Sequence, residues 1–327
     1  MSGPSLRTLL LPFTPLYRLG LAIREGSLRA GREPVRRLGW PVVSIGNLST
    51  GGAGKTPLTI ALAQALTRRG LHVDVLSRGY GRRSALPLLV NPNGTAEEFG
   101  DEPLVIAREA GVPVYVAAER REAGLIAEKA ESSPAGVHLL DDGFQHRQLY
   151  RDIDILLLNR RDWREHLLPA GNLREPRRSI FRAHVIAVPA NDPEFEAQLE
   201  RYGWTGPIWR LRRNMKVPPL AGPVIAFCGI AHSQQFFAGL ESAGLHLASR
   251  VAFADHHPYI AHDIDCLLDA ARSVRPAALI TTEKDRARLG TLVERIPESL
   301  PVVTAKLSIE IDDEAARIDW LMERLRR

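Results

Sequence analysis

Cysteine is nearly absent: Cys228 and Cys266 are the only two in 327 residues, and they form no CxxC pair. That excludes a disulfide scaffold and a thiolate metal site, and it suits a reducing compartment. Long apolar runs are missing too. The most apolar early stretch, Leu9 to Tyr17, is broken by Pro12 and Pro15 and closed by Arg18, well short of the ~20 residues a bilayer span needs. Arg24, Arg29 and Arg32 follow without a small-residue cleavage site, which argues against a secretory signal. Aromatic residues make up only 6% of the chain, and no finger or base-stacking motif occurs, so nucleic acid is not an expected partner. Lysine is scarce as well, supplying five of the 43 cationic side chains. There are no internal repeats and no low-complexity tract.

What is present is globular. The chain is 45% hydrophobic and 25% charged, long enough for about two domains. A net charge of +5 is compatible with an anionic partner. The first 40 residues set seven arginines among Leu9, Leu10, Leu16, Leu19, Leu21 and Ile23. Such a basic amphipathic segment either lies in a membrane interface or packs its apolar stripe on its own domain. From Pro41 onward short apolar runs (41–46, 72–77, 114–117, 137–141, 153–159, 184–189) alternate with helical stretches such as Pro57–Arg69. This predicts an α/β fold with a mostly parallel sheet flanked by helices. Residues 203–223, rich in Gly, Pro and Arg, read as a linker, and beyond it the pattern restarts with strands expected at 224–228, 249–253, 278–281 and 302–305. The expected units are a basic amphipathic segment (1–40), a phosphate-loop domain (41–215) and a smaller α/β domain closing the cleft (216–327).

Gly46-Asn47-Leu48-Ser49-Thr50-Gly51-Gly52-Ala53-Gly54-Lys55-Thr56 falls between a buried strand and a helix, the context of a phosphate-binding loop. Glycines let successive N–H groups turn toward phosphate oxygens, and the helix N-terminus adds its positive dipole end. Gly51, Gly52, Ala53 and Gly54 would line the phosphates, Lys55 would neutralise them, and Thr56 would ligate Mg²⁺. Ser49 stands where the strict GxxxxGK[ST] spacing wants glycine. Asp141-Asp142 closes the apolar strand 137–140, so both carboxylates emerge at the carboxyl edge of the sheet, where α/β folds bind ligands and an acid can hold Mg²⁺.

The motifs GNLSTGGAGKTP (46–57), GDEP (100–103), DDGFQH (141–146), LLPAGNLREP (167–176), DHH (255–257) and TTEKD (281–285) occur in this order. This succession resembles the tetraacyldisaccharide 4′-kinases, the lipid A 4′-kinases of Gram-negative bacteria, over about residues 40–285. The family's loop departs from the strict spacing in the same way. The resemblance implies two α/β domains with the active site between them, and a peripheral kinase on the cytoplasmic face of the inner membrane. It would transfer the ATP γ-phosphoryl group to the 4′-hydroxyl of a tetraacylated glucosamine disaccharide 1-phosphate, the lipid A precursor, with Mg²⁺. No obligate protein partner is implied. By motif, Lys55 and Thr56 belong to the phosphate loop, and Asp141 and Asp142 to the Mg²⁺ site, lined by Gln145 and His146. Arg120, Arg174 and Glu175 become active-site polar residues, Asp101 the catalytic base and His256 its partner.

The residues alone permit plainer roles. Asp101 precedes a helical run (103–109), where Asp is a routine N-cap. Arg174-Glu175 reads as a surface ion pair. Asp255, His256, His257 and His262 form no recognised ligand spacing, and 282–285 can simply open a helix. The rival function is a phosphate-loop ATPase switch acting through a protein partner. Such proteins carry a signature lysine before the Gly-Gly pair, where this chain has Thr50. A GTPase would need an NKxD motif, which does not occur.

Overall fold

A computed structural model of the chain describes residues 6–51, 54–130 and 135–326. Its strands are β1 (Val42–Asn47), β2 (Val73–Ser77), β3 (Leu88–Leu89), β4 (Val114–Val116), β5 (Val137–Asp141), β6 (Ile153–Leu157), β7 (Val185–Pro189), β8 (Ile208–Lys216), β9 (Val224–Cys228), β10 (Leu247–Ala252), β11 (Ala278–Thr282) and β12 (Val302–Ile311). They form one sheet in the order β10-β9-β11-β12-β8-β7-β6-β1-β5-β2-β4-β3. Every pairing is parallel except β3 with β4 and β8 with β12. The mostly parallel α/β sheet flanked by helices is as expected.

Side-chain alternation divides each strand between two layers. Val43 and Ile45 face the helices Lys55–Arg68 and Asp101–Glu109, whereas Val42 faces the helix Arg120–Ala130. In the second half Val224, Ala226 and Cys228 pack on the helix Ser233–Ser242, and Ile225 and Phe227 on Ala261–Val274.

The expected linker holds a strand instead. β8 buries Trp209 and Leu211 and exposes the arginines between and after them. Its first residues pair with β7 up to Pro189↔Leu211, and its remainder pairs antiparallel with β12 from Ile311↔Leu211 to Lys306↔Lys216. The start of β12 pairs with β11 as far as Thr282↔Ala305. The two parallel sheets therefore run head to head, their carboxyl ends facing each other along a ribbon of six residue pairs, about 20 Å at 3.3 Å per residue. The C-terminal helix Glu314–Leu325 then returns to the first half. Ile318 and Leu321 join its core, and Glu314 and Asp319 pair with Arg68 and Arg69 at 2.6 Å. The second unit's own clusters draw on residues between 215 and 305, so the chain after β12 belongs to the first core.

At the amino ends of β2 and β5 the fully buried His138 lies between two carboxylates. Its Nδ1 is 2.7 Å from Asp74 Oδ1 and its Nε2 3.2 Å from Glu128 Oε1. Trp40 stacks on the imidazole, and its backbone N–H donates to the same Glu128 oxygen. Burial opposes the imidazolium, but the hydrogen bond and charge of Asp74, with those of Glu128, outweigh it and raise the His138 pKa. A folded-state pKa above the ordinary ~6.5 gives stability that is complete below that value and lost as pH rises through the raised one. Wild-type protein should therefore hold an advantage over His138→Gln in urea denaturation that is full below about pH 6 and shrinks as pH rises above the ordinary histidine range. An advantage that grows with pH would contradict this assignment.

Candidate active site

The loop after β1 is shaped by contacts as well as by glycine. A Cβ on Gly46 would stand 2.5 Å from the Phe144 Cβ, so only glycine lets β1 pass the DDGFQH turn. Gly54 takes φ 94°, and the helix starts at Lys55. Asn47 braces the curl: its Nδ2 donates to Ser49 Oγ at 2.9 Å and to the Gly51 carbonyl at 3.2 Å, while its Oδ1 accepts from Lys55 Nζ at 3.0 Å. Ser49, the departure from strict spacing, donates to Asp162 at 2.7 Å and so anchors the loop. From the second half, His232 stands against Gly51. Thr56 is buried at the first helical turn. Gly52 and Ala53 lie outside the described residues.

The LREP segment runs beside this loop. Ser49 bridges Leu173, Thr50 N–H donates to the Asn172 carbonyl at 2.8 Å, and Arg174 N–H to the Leu48 carbonyl at 2.7 Å. That register delivers Arg174 to Asp142, 2.9 Å from Nη1 to Oδ2, with Lys55 Nζ 3.4 Å from the other oxygen. Glu175 turns away to Arg182 at 2.6 Å, so Arg174 and Glu175 form two separate ion pairs and not one with each other. Gln145 donates to the Asn47 carbonyl at 3.0 Å and accepts from Arg174 at 3.3 Å.

The two adjacent acids have opposite characters. Asp141 ends β5 wholly buried, and among the described residues Thr59 at 3.4 Å and Ser77 at 3.5 Å donate to it. Burial, followed by the charges of Glu102 and Asp142, raises its pKa. Asp142 turns out of the strand at φ 50°. Burial works against its charge, but Lys55 and Arg174 hold its pKa down to about 2. His146 is depressed to about 3 by burial and by Arg120, Arg151, Arg24 and Arg78 around it. Arg120 is itself buried, donating to the Ala118 carbonyl at 3.0 Å, while its Nε has no hydrogen-bond partner among the described residues. Burial and the neighbouring Arg78 bring it to about 10.

Asp101 proves to be the first residue of the helix Asp101–Glu109, with Gly100 at the cap. It is 5% exposed and meets the second half of the chain. His256 Nδ1 lies 3.5 Å from Asp101 Oδ2, and Arg288 Nε donates to the same oxygen at 2.8 Å. Beside them Lys284 pairs with Glu102. Burial would raise the Asp101 pKa, but the His256 hydrogen bond and the Arg288 and Lys284 charges hold it well below the carboxylate range. The same hydrogen bond, partly offset by burial, raises the pKa of His256. His257 turns instead to Asp263 at 2.8 Å, and His262 to Cys266 at 3.6 Å. No group of three or more His, Cys, Asp or Glu suited to a metal occurs among the described residues.

Sequence reasoning missed Asn47, Glu102, Lys284 and Arg288. Glu102 and Lys284 sit inside quoted motifs, and Arg288 follows Lys284 by four residues, the spacing of one helix face.

The arrangement matches known proteins along its length. A family model described as tetraacyldisaccharide-1-P 4′-kinase matches residues 6–326. A tetraacyldisaccharide 4′-kinase of Koribacter versatilis (strain Ellin345) is 40% identical, covering 97% of this chain and 98% of its own length. One from Syntrophobacter fumaroxidans (strain DSM 10017 / MPOB) is 39% identical over 98% of this chain and 88% of its own. Among solved structures, the "apo" form of LpxK from Aquifex aeolicus in complex with ATP superposes with a TM-score of 0.75. It is 31% identical to this chain, covering 98% of it and 99% of the neighbour. With its phosphate loop, paired acids and Asp101–His256 contact in one cleft, the chain belongs to the tetraacyldisaccharide-1-P 4′-kinase family.

Proposed function

We propose that this chain transfers the γ-phosphoryl group of ATP to the 4′-hydroxyl of a tetraacylated glucosamine disaccharide 1-phosphate, a step of lipid A biosynthesis. The carrying observation is the family match over residues 6–326, nearly the whole chain. The ATP held by the Aquifex neighbour supports ATP as donor. A partner-driven ATPase switch has no comparable support.

The loop amides, the amino end of the helix Lys55–Arg68 and Lys55 would hold the donor's phosphates. Thr56, Asp141 and Asp142 fit a Mg²⁺ ion. A wholly buried carboxylate that accepts, among the described residues, from two hydroxyls at 3.4 and 3.5 Å wants a cation, and Mg²⁺ asks few protein ligands beyond phosphate oxygens and water. Bound there, it would neutralise charge on the transferring phosphoryl group. A sugar hydroxyl is a poor nucleophile until a positioned base takes its proton. Asp101 is assigned that task. Its low pKa keeps it ionised at neutral pH, and His256, from the second half, aims it. Arg120, Arg174 and Lys55 supply positive charge where the phosphoryl group would pass.

The amino-terminal helix Thr14–Arg29 and the 3₁₀ helix Leu6–Phe13 before it carry features of both readings of their sequence. Tyr17 and Leu21 pack on the core, whereas Leu9, Leu16 and Ile23 stay 73%, 69% and 65% exposed. No helix among the described residues is long and apolar enough to cross a membrane. Exposed leucines among arginines suit the surface of an anionic bilayer, here the cytoplasmic face of the inner membrane, where the acylated substrate resides.

Lys55→Ala should lower phosphoryl transfer at least about 100-fold with an unchanged circular-dichroism spectrum, and near-normal turnover would remove the loop from the reaction. Asp101→Ala should lower kcat by about 10²- to 10⁴-fold and His256→Ala by less. If they act as a unit, the double variant should be scarcely worse than Asp101→Ala; fully additive losses would separate them. Replacing Leu9, Leu16 and Ile23 together by Ser should weaken sedimentation with anionic vesicles and raise KM for vesicle-borne substrate, leaving KM for ATP alone. Undiminished vesicle binding would exclude this surface.

A further inference from the structure

Both members of the dyad rest on one side chain that the reaction as described does not use. Arg288, in the helix Glu283–Leu289, is 8% exposed. Its Nε donates to Asp101 Oδ2 at 2.8 Å, with Nη2 2.7 Å from the same oxygen. Its Nη1 points the other way, donating to the Gly229 carbonyl at 2.7 Å and to Asp285 Oδ1 at 3.0 Å. The Gly229 carbonyl also accepts the backbone N–H of His256 at 3.0 Å, where the chain turns left-handed at φ 58°. Behind the guanidinium, Asp285 is wholly buried. It accepts from Gly229 N–H and from the Tyr259 hydroxyl, both at 2.9 Å, and Thr282 caps the helix through its bond with Asp285 N–H.

A planar guanidinium can engage two partners on different edges at fixed angles, which an ammonium cannot. Here one edge takes the carboxylate from the first half of the chain, and the other takes the turn that carries His256. We infer that Arg288 is a positioning residue for phosphoryl transfer: it fixes the Asp101 carboxylate and the His256-bearing turn in one geometry across the cleft. This rests on the reading of Asp101 as base.

The electrostatics agree. The charged groups facing Asp101 are Arg288, His256, Lys284 and, beside it on its own helix, Glu102, with Asp255 beyond His256. Arg288 and Lys284 hold the carboxylate ionised, and Glu102 already occupies Lys284. Removing Arg288 would therefore let the Asp101 pKa rise. A depressed carboxylate pKa keeps the base competent down to low pH, so its loss moves the acid limb of the rate profile upward.

The test uses the full-length enzyme with ATP and the disaccharide in mixed micelles. Arg288→Gln should lower kcat about 10- to 100-fold, the scale of a misplaced reacting group, with little change in KM for ATP. The acid limb of its kcat–pH profile should move upward. Arg288→Lys, which keeps the charge and lessens the risk of misfolding, should hold the acid limb in place while losing part of kcat. In an Asp101→Ala background, Arg288→Gln should add almost nothing. An Asp101→Ala enzyme with wild-type kcat would overturn the base assignment and this inference with it. If Asp101→Ala is crippled, the assignment of Arg288 alone falls on either of two results: an unmoved acid limb in Arg288→Gln, or an undiminished further loss in the Asp101→Ala background.

Discussion

A parallel sheet gathers the carboxyl ends of its strands along one edge, and the loops there hold whatever the fold binds. In this chain the antiparallel pairing of β8 with β12 turns two such edges toward each other. The consequences follow from that single register. The phosphate loop after β1 and the acids after β5 project from one edge. Gly229 after β9, the His256 turn after β10 and the helix opening after β11 project from the other. Asp101 and His256, far apart in sequence, meet because the ribbon is only six pairs long. A slip of one residue in the ribbon would turn its buried side chains Leu211, Ile309 and Ile311 outward, so their burial holds the register on which the cleft depends.

The cleft is stitched by charges. Arg174 and Lys55 meet Asp142 within the first half, Arg288 meets Asp285 on its own helix, and Lys284–Glu102 and Arg288–Asp101 join the two halves. Such pairs are a poor source of stability. Desolvating each ion costs several kcal/mol, and attraction roughly repays it, whereas removing one partner costs about 3–5 kcal/mol. What they provide is a fixed arrangement of strong fields, and two groups are left incompletely matched within it. Asp141 accepts from two hydroxyls at 3.4 and 3.5 Å, with Lys55 and Lys284 near enough to lower its pKa, and the Arg120 Nε has no hydrogen-bond partner among the described residues. A carboxylate and a guanidinium with hydrogen-bonding capacity to spare suit a metal-bound polyphosphate better than they suit a closed protein core.

Much of this was legible in the residues, for physical reasons. β1, β5, β6 and β9 are buried on both faces and read as continuous apolar runs, and the glycines of the loop announce their backbone. β8 was not legible. It buries one face only, carries Arg210, Arg212 and Arg213 on a short stretch, and lies between proline-rich ends, so composition resembles a linker. His138 hid inside an apolar strand. The pairing of Asp101 with His256 has no local signature, because spacing says nothing about contacts made through a sheet. Only the resemblance carried by the ordered motifs joined them beforehand. Arg288 escaped even that, since it lies just past TTEKD, and its partners Asp101, Gly229 and Asp285 come from another helix, a loop and its own helix.

The amino-terminal helix ties the remaining surface to this cleft. Tyr17 donates its hydroxyl to the Arg174 carbonyl at 2.9 Å, Arg24 donates to the Gln145 carbonyl at 3.0 Å, and Glu25 pairs with Arg147. Arg7, just before the helix, reaches Asn172 Oδ1 at 2.7 Å. One element thus bonds to both the DDGFQH turn and the LREP segment while presenting Leu16, Leu19 and Ile23 outward. On the proposed interfacial reading this has a mechanical result. A helix lying in the headgroup layer is held in depth by its apolar face. Bonds from that helix to the two loops around Asp142 then set the height of the cleft above the bilayer. A substrate whose acyl chains remain among lipids can offer its sugar hydroxyl only at such a height, so the helix that anchors the protein through one face would, through the other, align its base with the acceptor.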